Sequence, residues 1–375
     1  MKRRVMFCFG TRPEAIKLVP VIKELARQPM EFAPVVLVTA QHRHMLDQVL
    51  RVFEIELDHD LDVMRPGQSL AEVTVAVLRG VERVLRRNRP DIVMVQGDTT
   101  SALAAALAAF YQRIPVGHVE AGLRTNDKYS PYPEEMNRRL VSSLADLHFA
   151  PTRTAKENLL REGVSRGRIH VTGNTVVDAL KATLQSKAKW RVPVLEGIAA
   201  KHPVILVTAH RRESFGSGLE HICLALRNIV ERNPGVEIVY PVHLNPAVRR
   251  PVRAILGAVP RVHLIKPLEY LPFVRLMERS YLILTDSGGI QEEAPALGKP
   301  VLVMRDVTER PEAVEAGTAR LVGTDAEAIV SATERLLRSD VAYRKMARVR
   351  NPFGDGSASA RIATALRRFL TAAAG

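Results

Sequence analysis

Cysteine is nearly absent: Cys8 and Cys223 are the only two in 375 residues, and both lie in apolar settings. A disulfide framework and a cysteine-rich zinc site are thereby excluded, and the usage suits the cytosol. Aromatic residues are scarce at 5%, with a single Trp, so a platform for stacking nucleic-acid bases is poorly supplied. No apolar run approaches the length of a membrane span; the longest are strand-sized. The opening MKRRVMFCFG has basic residues and a short apolar run but no long hydrophobic region or small-residue cleavage site, and it reads as a first strand. There is no GxGxxG fingerprint, no Walker A loop and no HExxH pair. A bound dinucleotide, a P-loop and a metal site of that kind are therefore not expected. Short repeats and low-complexity tracts are missing too.

Acidic residues are in deficit, 40 against 54 Lys and Arg, leaving a net charge of +14. That balance raises the prior for an anionic partner. The charge is scattered, however. Arg-Arg pairs at 86–87, 138–139, 211–212, 249–250 and 367–368 are separated by acidic residues. An arginine-rich solvated surface with a local pocket for an anionic small molecule is expected, with no nucleic-acid or membrane partner.

What is abundant is hydrophobic sequence, 46%, enough for a large core and two domains. Apolar runs alternate with amphipathic helical patterns, such as 68–88 and 99–112. In the first half the runs are 4–10, 34–40, 91–97, 114–120, 146–150 and 168–173. In the second half they are 203–209, 236–242, 261–265, 281–286 and 300–304. Continuous apolar strands joined by helices predict parallel sheets covered on both faces: an α/β protein with two doubly wound domains. The polar stretch from about Ala182 to Lys201 separates the halves and puts the hinge between Gly173 and His202. A loop at 351–360 precedes a terminal helix. Ligands of such sheets bind beyond the strand carboxyl ends, here at a shared interdomain cleft.

The polar residues gather at those ends. The segment 285–311, TDSGGIQEEAPALGKPVLVMRDVTERP, reads as strand, glycine turn, helix and strand. Ser287, Gly288 and Gly289 allow close backbone approach to a phosphate, Glu292 or Glu293 could hold ribose hydroxyls, and Arg310 follows. Taken alone, Ser-Gly-Gly is a tight turn with solvated glutamates; the joint presence of the two carboxylates and the arginine favours a site. The first strand runs into Gly10-Thr11-Arg12-Pro13-Glu14-Ala15-Ile16-Lys17, where Arg12 and Lys17 either meet phosphate or are solvated charges on a capped helix. Asp98 and Glu120 directly follow strands. Asp98 alone is better read as a helix N-cap, but two carboxylates at neighbouring strand ends push their pKa values apart and give one site an acid and a base. Glu134 and Glu135 follow Pro133 in a helical first turn, where acidic residues also favour the helix dipole. His210 ends a buried strand and suits proton transfer, phosphate binding or a structural role; His243 is a weaker candidate of the same kind.

Together GTRPEAIK (10–17), QGDTT (96–100), GHVEAGLRT (117–125), YSPYPEEMNR (129–138), TGNTVVDAL (172–180), TAHRRESFG (208–216), YPVHLNP (240–246), 284–318 and NPFGDG (351–356) strongly resemble the non-hydrolysing UDP-N-acetylglucosamine 2-epimerases. The resemblance covers nearly the whole chain. It implies a GT-B architecture of two Rossmann-like domains, 1–172 and 173–356, with the terminal helix 357–375 packing back on the first. It implies a cytoplasmic homodimer that interconverts UDP-GlcNAc and UDP-ManNAc without NAD or metal, for cell-surface polysaccharide synthesis. The implied chemistry removes the proton at sugar carbon 2, expels UDP to leave a 2-acetamidoglucal, and adds UDP back with a proton on the other face. By resemblance Asp98, Glu120 and Glu134 are the acid/base carboxylates and His210 assists UDP departure. Arg12, Lys17, Ser287, Gly288, Gly289 and Arg310 hold the diphosphate, Glu293 the ribose, and Phe273 borders the uracil. Gln41, His42, Arg211 and His243 match a neighbouring site for an activating second UDP-GlcNAc, although His44 and Gly67 depart from residues common there. A GT-B glycosyltransferase, a hydrolysing epimerase and a binding protein without turnover are the competing readings; three carboxylates facing the sugar favour elimination.

Overall fold

The computed structural model describes residues 2–39, 43–65, 67–185 and 191–372. The chain forms two compact units, one of residues 1–182 with 353–375 and the other of 183–352.

The first unit carries seven parallel strands: β1 (Arg3–Phe9), β2 (Phe32–Val38), β3 (His59–Asp60), β4 (Ile92–Gln96), β5 (Val116–Val119), β6 (Leu147–Ala150) and β7 (Ile169–Val171). Their order is β3-β2-β1-β4-β5-β6-β7. The second carries β8 (Val204–Thr208), β9 (Glu237–Pro241), β10 (Val262–Ile265), β11 (Leu282–Thr285), β12 (Val301–Val303) and β13 (Ala319–Leu321), in the order β10-β9-β8-β11-β12-β13. Both sheets are doubly wound and Rossmann-like, as the alternation of runs predicts. The central strands β4 and β8 are buried at every residue, which is why they read as unbroken apolar runs and not as alternating ones.

Helices cover the faces because their apolar stripes do. On the Ser217–Arg232 helix, Leu219, Ile222, Cys223, Leu226, Ile229 and Val230 form a buried stripe at helical spacing that packs on the second sheet. The Leu70–Asn88 helix starts at a capping box in which Ser69 and Glu72 satisfy each other's backbone N–H groups.

The terminal helix, Ala358–Ala372, belongs to the first unit. It buries Ile362, Leu366 and Leu370, and Arg367 pairs with Glu31 and donates to Gln28 at 2.6 Å. Asp178 accepts from the N–H groups of Ala358 (3.1 Å) and Ser359 (2.8 Å). Gly173, at φ +87°, lets the backbone at Phe353–Gly354 approach; a Cβ there would stand 3.2 Å from both Gly354 Cα and the Phe353 carbonyl oxygen. No described helix is long and apolar enough to cross a membrane.

Candidate active site

Each sheet reverses its winding once, between β1 and β4 in the first unit and between β8 and β11 in the second. Loops leaving the carboxyl ends of such strand pairs diverge and leave a crevice. Most of the sequence-predicted residues among those described fall on those loops, on the loops of the adjoining strands, or in the first turns of the helices that follow.

In the first unit, Thr11 caps the Arg12–Ala26 helix, with Pro13 in its first turn. Arg12 is half-buried at the first helical position. Glu14 is buried and completes the capping box: one oxygen accepts from Gly10 N–H (3.0 Å) and Thr11 N–H (2.8 Å). Its other oxygen accepts from the Thr99 hydroxyl at 2.7 Å. Burial raises its pKa against the pull of those bonds. Thr99 in turn caps the Thr100–Tyr111 helix through Ala102 N–H. One carboxylate therefore ties the loop after β1 to the loop after β4.

That cap corrects the reading of Asp98 as the N-cap. Thr99 takes the position, and Asp98 is left for other work. Its carboxylate pairs with Arg138 at 2.5 Å, and Asn137 Nδ2 donates to its carbonyl oxygen at 2.9 Å. Burial raises the Asp98 pKa; Arg138 opposes, Glu120 adds to the rise and Lys17 opposes it. Asp98, Glu120, Lys17 and Arg138 thus share one electrostatic neighbourhood.

Glu120 stands in left-handed backbone at φ +64°, a conformation that costs a non-glycine residue about 1 kcal/mol or more. Lys17 Nζ forms an ion pair with its carboxylate and Asn174 Nδ2 donates to the same oxygen at 2.8 Å. Gly122, at φ +91°, finishes the turn; a Cβ there would lie 2.2 Å from Ala155 O.

Glu134 opens the Glu134–Leu144 helix, and its Oε2 is buried without a hydrogen-bond partner. Arg138 lies one turn further along the same face. Glu135 points elsewhere. It is fully buried and accepts from Thr125 N–H (3.0 Å), Asn126 N–H (3.3 Å) and Arg139 Nε (3.1 Å). Of the two adjacent glutamates, one is structural and the other carries an unsatisfied oxygen.

In the second unit, Asp286 is the buried centre. It accepts from the N–H groups of His210 (2.5 Å) and Arg211 (2.7 Å), and its other oxygen lies 3.3 Å from His210 Nδ1. His210 stacks on His243 with ring centroids 5.5 Å apart. Desolvation lowers the His210 pKa, against Asp286, so the ring is neutral at neutral pH. Ser287, Gly288 and Gly289 follow, the last two opening the Gly288–Glu293 helix. Glu292 is buried against Arg310 in an ion pair, which makes it the support of that guanidinium. Glu293 accepts from the Tyr270 hydroxyl at 2.9 Å. Phe273 lies three residues beyond Tyr270 on the Tyr270–Arg279 helix, half-buried on the same side. Arg211 pairs with Glu309 at 3.3 Å, and the buried Arg305 pairs with Glu213.

The structure brings Lys17, Asp98 and Glu120 together in one unit, and His210, Arg211 and His243 together in the other. Gln41 and His42 lie outside the described residues. Sequence reasoning missed Asn174, Arg138, Asp286, Arg305 and Glu309. Asp286 had a signal, a polar residue closing an apolar run; the others are fixed only by tertiary contact. Among the described residues no group of three or more His, Cys, Asp or Glu could hold a metal ion.

The family model described as UDP-N-acetylglucosamine 2-epimerase matches residues 23–367. The chain is 58% identical to the UDP-N-acetylglucosamine 2-epimerase of Escherichia coli strain K12, over 97% of this chain and 98% of that protein. Its fold is similar to the UDP-GlcNAc 2-epimerase of Neisseria meningitidis solved bound to UDP-GlcNAc. The TM-score is 0.89 at 51% identity, covering 97% of this chain and 100% of the other. The Methanocaldococcus jannaschii UDP-GlcNAc 2-epimerase, solved in complex with UDP-GlcNAc and UDP, gives a TM-score of 0.79 at 34% identity, covering 97% and 99%.

Proposed function

The chain belongs to the UDP-N-acetylglucosamine 2-epimerase family, an isomerase of GT-B-like fold, and from that premise we propose that it interconverts UDP-GlcNAc and UDP-ManNAc by elimination and re-addition of UDP. A carboxylate takes the proton from carbon 2 of the sugar. The carbon 1–oxygen bond breaks, its electron pair leaves on the diphosphate, and a 2-acetamidoglucal remains. UDP then adds back to carbon 1 while carbon 2 takes a proton on its other face. No net oxidation occurs.

Such a cycle needs two proton-transfer groups of different proton affinity and cations for the departing diphosphate. The observation that carries the proposal is the contrast between Asp98 and Glu120. They end neighbouring strands and feel each other's charge, yet burial pushes Asp98 toward its protonated form while Glu120 is gripped by Lys17 and Asn174. Glu134, with its unpartnered buried oxygen, is the third carboxylate of the set. His210, kept neutral by desolvation and oriented by Asp286, assists UDP departure. Arg12, Lys17, Ser287, Gly288, Gly289 and Arg310 hold the diphosphate, Glu293 the ribose, and Phe273 borders the uracil. A homodimer, activation by a second UDP-GlcNAc at Arg211 and His243 with Gln41 and His42, and supply of ManNAc units for surface polysaccharide complete the proposal.

Incubation with UDP-GlcNAc in deuterium oxide tests it. The expected product is UDP-ManNAc carrying deuterium at carbon 2. Free ManNAc with UDP would mean hydrolysis, and transfer of sugar to an acceptor without epimerisation would replace the reading altogether.

A further inference from the structure

Glu309 has no part in the assignment above, yet it lies where an anion would be expected. It sits on the loop between β12 and the Pro311–Ala316 helix. Its Oε1 lies 3.3 Å from Arg211 Nη1 and 3.6 Å from Arg305 Nη2. Its Oε2 faces the glycine turn. A Cβ built on Gly288 would meet Glu309 Oε2 at 3.8 Å, Arg211 Nη2 at 3.9 Å and Arg310 Cζ at 3.9 Å. Arg310 is held there by Glu292 through Nε and by the Glu309 carbonyl through Nη1 at 3.0 Å. Three guanidinium groups and a glycine backbone thus converge on one carboxylate.

Two physical arguments follow. Three cations in a half-buried space repel one another unless anions lie among them; Glu292 pairs with Arg310 and Glu213 with Arg305, and Glu309 is the carboxylate that faces Arg211 and Arg305 together. Second, the space over Gly288 that a phosphate would need already holds the Glu309 carboxylate. A carboxylate at that distance from an arriving diphosphate would repel it, so both cannot remain. We propose that the Glu309 carboxylate is the resident anion of the diphosphate site, which Arg211 borders from the neighbouring site assigned to it above, and that the nucleotide displaces it from Arg211 and Arg305 on binding. Burial would raise the Glu309 pKa, but Arg211, Arg310 and Arg305 together hold it below the usual carboxylate value, so the group is charged wherever the enzyme works. The exchange needs only side-chain rotation, because the glutamate has rotatable bonds to swing through. The inference rests on the UDP reading given above.

Nucleotide affinity is then the net result of one anion replacing another. Glu309→Gln keeps the size of the side chain and removes its charge. In calorimetric titration the variant should bind UDP and inorganic pyrophosphate about tenfold more tightly than the parent chain, since a competing charge-assisted contact is gone. Uridine, which has no phosphate, should bind both alike. The gain should shrink as sodium chloride is raised. Unchanged or weaker binding of UDP and pyrophosphate would overturn the inference and make Glu309 a mere positioner of the arginines. Arg310→Ala separates the two levels. If the parent chain binds UDP in an Arg310-dependent way and Glu309→Gln binds no tighter, only this inference fails. If no form binds UDP or pyrophosphate, the nucleotide reading fails with it. Should Glu309→Gln not fold, Glu309→Asp draws the carboxylate back by one carbon and should show a smaller gain of the same sign; no gain overturns the inference.

Discussion

At the scale of single residues, the site is a set of charges whose partners differ. Asp98 is raised by burial, Glu120 is held by Lys17 and Asn174, and Glu134 keeps an oxygen with no partner. Asp98→Asn, Glu120→Gln and Glu134→Gln preserve size and remove a titrating group. Each should lower turnover roughly a hundredfold or more while UDP affinity stays within a few-fold. A variant that turns over normally is not an acid or base. The second unit separates binding from chemistry. Arg310→Ala removes a charge-assisted contact to the diphosphate, so UDP binding should weaken sharply. His210→Asn should act chiefly on turnover, because the neutral ring contributes at the leaving group. Small, equal effects from both would move the diphosphate elsewhere.

At the scale of elements, the Glu134–Leu144 helix is the frame of the acid/base set. It carries Glu134 at its start, grips Asp98 through Asn137 and Arg138, and is anchored by Glu135 to the Thr125–Asn126 backbone. Glu135→Ala takes the shared acceptor from Arg139 and from the Thr125 and Asn126 N–H groups, and takes from Arg138 one of its two carboxylate partners, a loss of roughly 2–3 kcal/mol. Chemical denaturation should show that loss, and turnover should fall with it because Asp98 loses its frame. A variant of normal stability would show that the helix is held by its apolar face alone. The same helix marks how much the sequence discloses. Its start was legible from Pro133 and the acidic first turn, but not which of two adjacent glutamates turns inward. Asp98 and Thr99 stand side by side and both are good cap residues, so Asp98 taken alone reads as the cap; only the fold, through Glu14, gives that position to Thr99. The central strands were legible because burial on both faces makes them continuous apolar runs. The two-residue β3 and the edge strand β13 carry no such run. Ion pairs between residues far apart in the chain, such as Lys17 with Glu120 and Arg138 with Asp98, set the electrostatics of the site and leave no local pattern.

At the scale of the whole molecule, the chain leaves the first unit after Ala182 and re-enters it at Phe353. The returning segment buries Phe353, Ile362, Leu366 and Leu370. At about 1.5–3 kcal/mol per side chain, their loss rivals the ~5–15 kcal/mol that holds a typical domain together. A chain ending at residue 352 should therefore fail to accumulate as folded protein, and a soluble, cooperatively melting truncation would refute that. Acid should find its weak point in the same unit. His118 is fully buried and donates from Nε2 to the Gly97 carbonyl at 2.8 Å; a carbonyl only accepts, so Nε2 carries the proton. Desolvation pushes its pKa down to about 3, and that of buried His148 down to about 4. Both folded values lie below the ordinary 6.5, so the unfolded chain binds more protons as pH falls. Their stabilising contribution is complete above 6.5 and is lost progressively as pH falls toward 4 and then 3. Between neutrality and about pH 5 each histidine should cost ~2 kcal/mol, from about 1.4 kcal/mol per pKa unit. Urea midpoints at about pH 7.5 and 5 would read this directly. His118→Gln and His148→Gln should start less stable at the higher pH yet lose less between the two. Equal losses in all three proteins would show that the buried imidazoles are not the source of the acid sensitivity; pairs such as Asp355 with Arg361 fall away only at lower pH, because the Asp355 carboxyl is held down to about 2 from an ordinary 3.8.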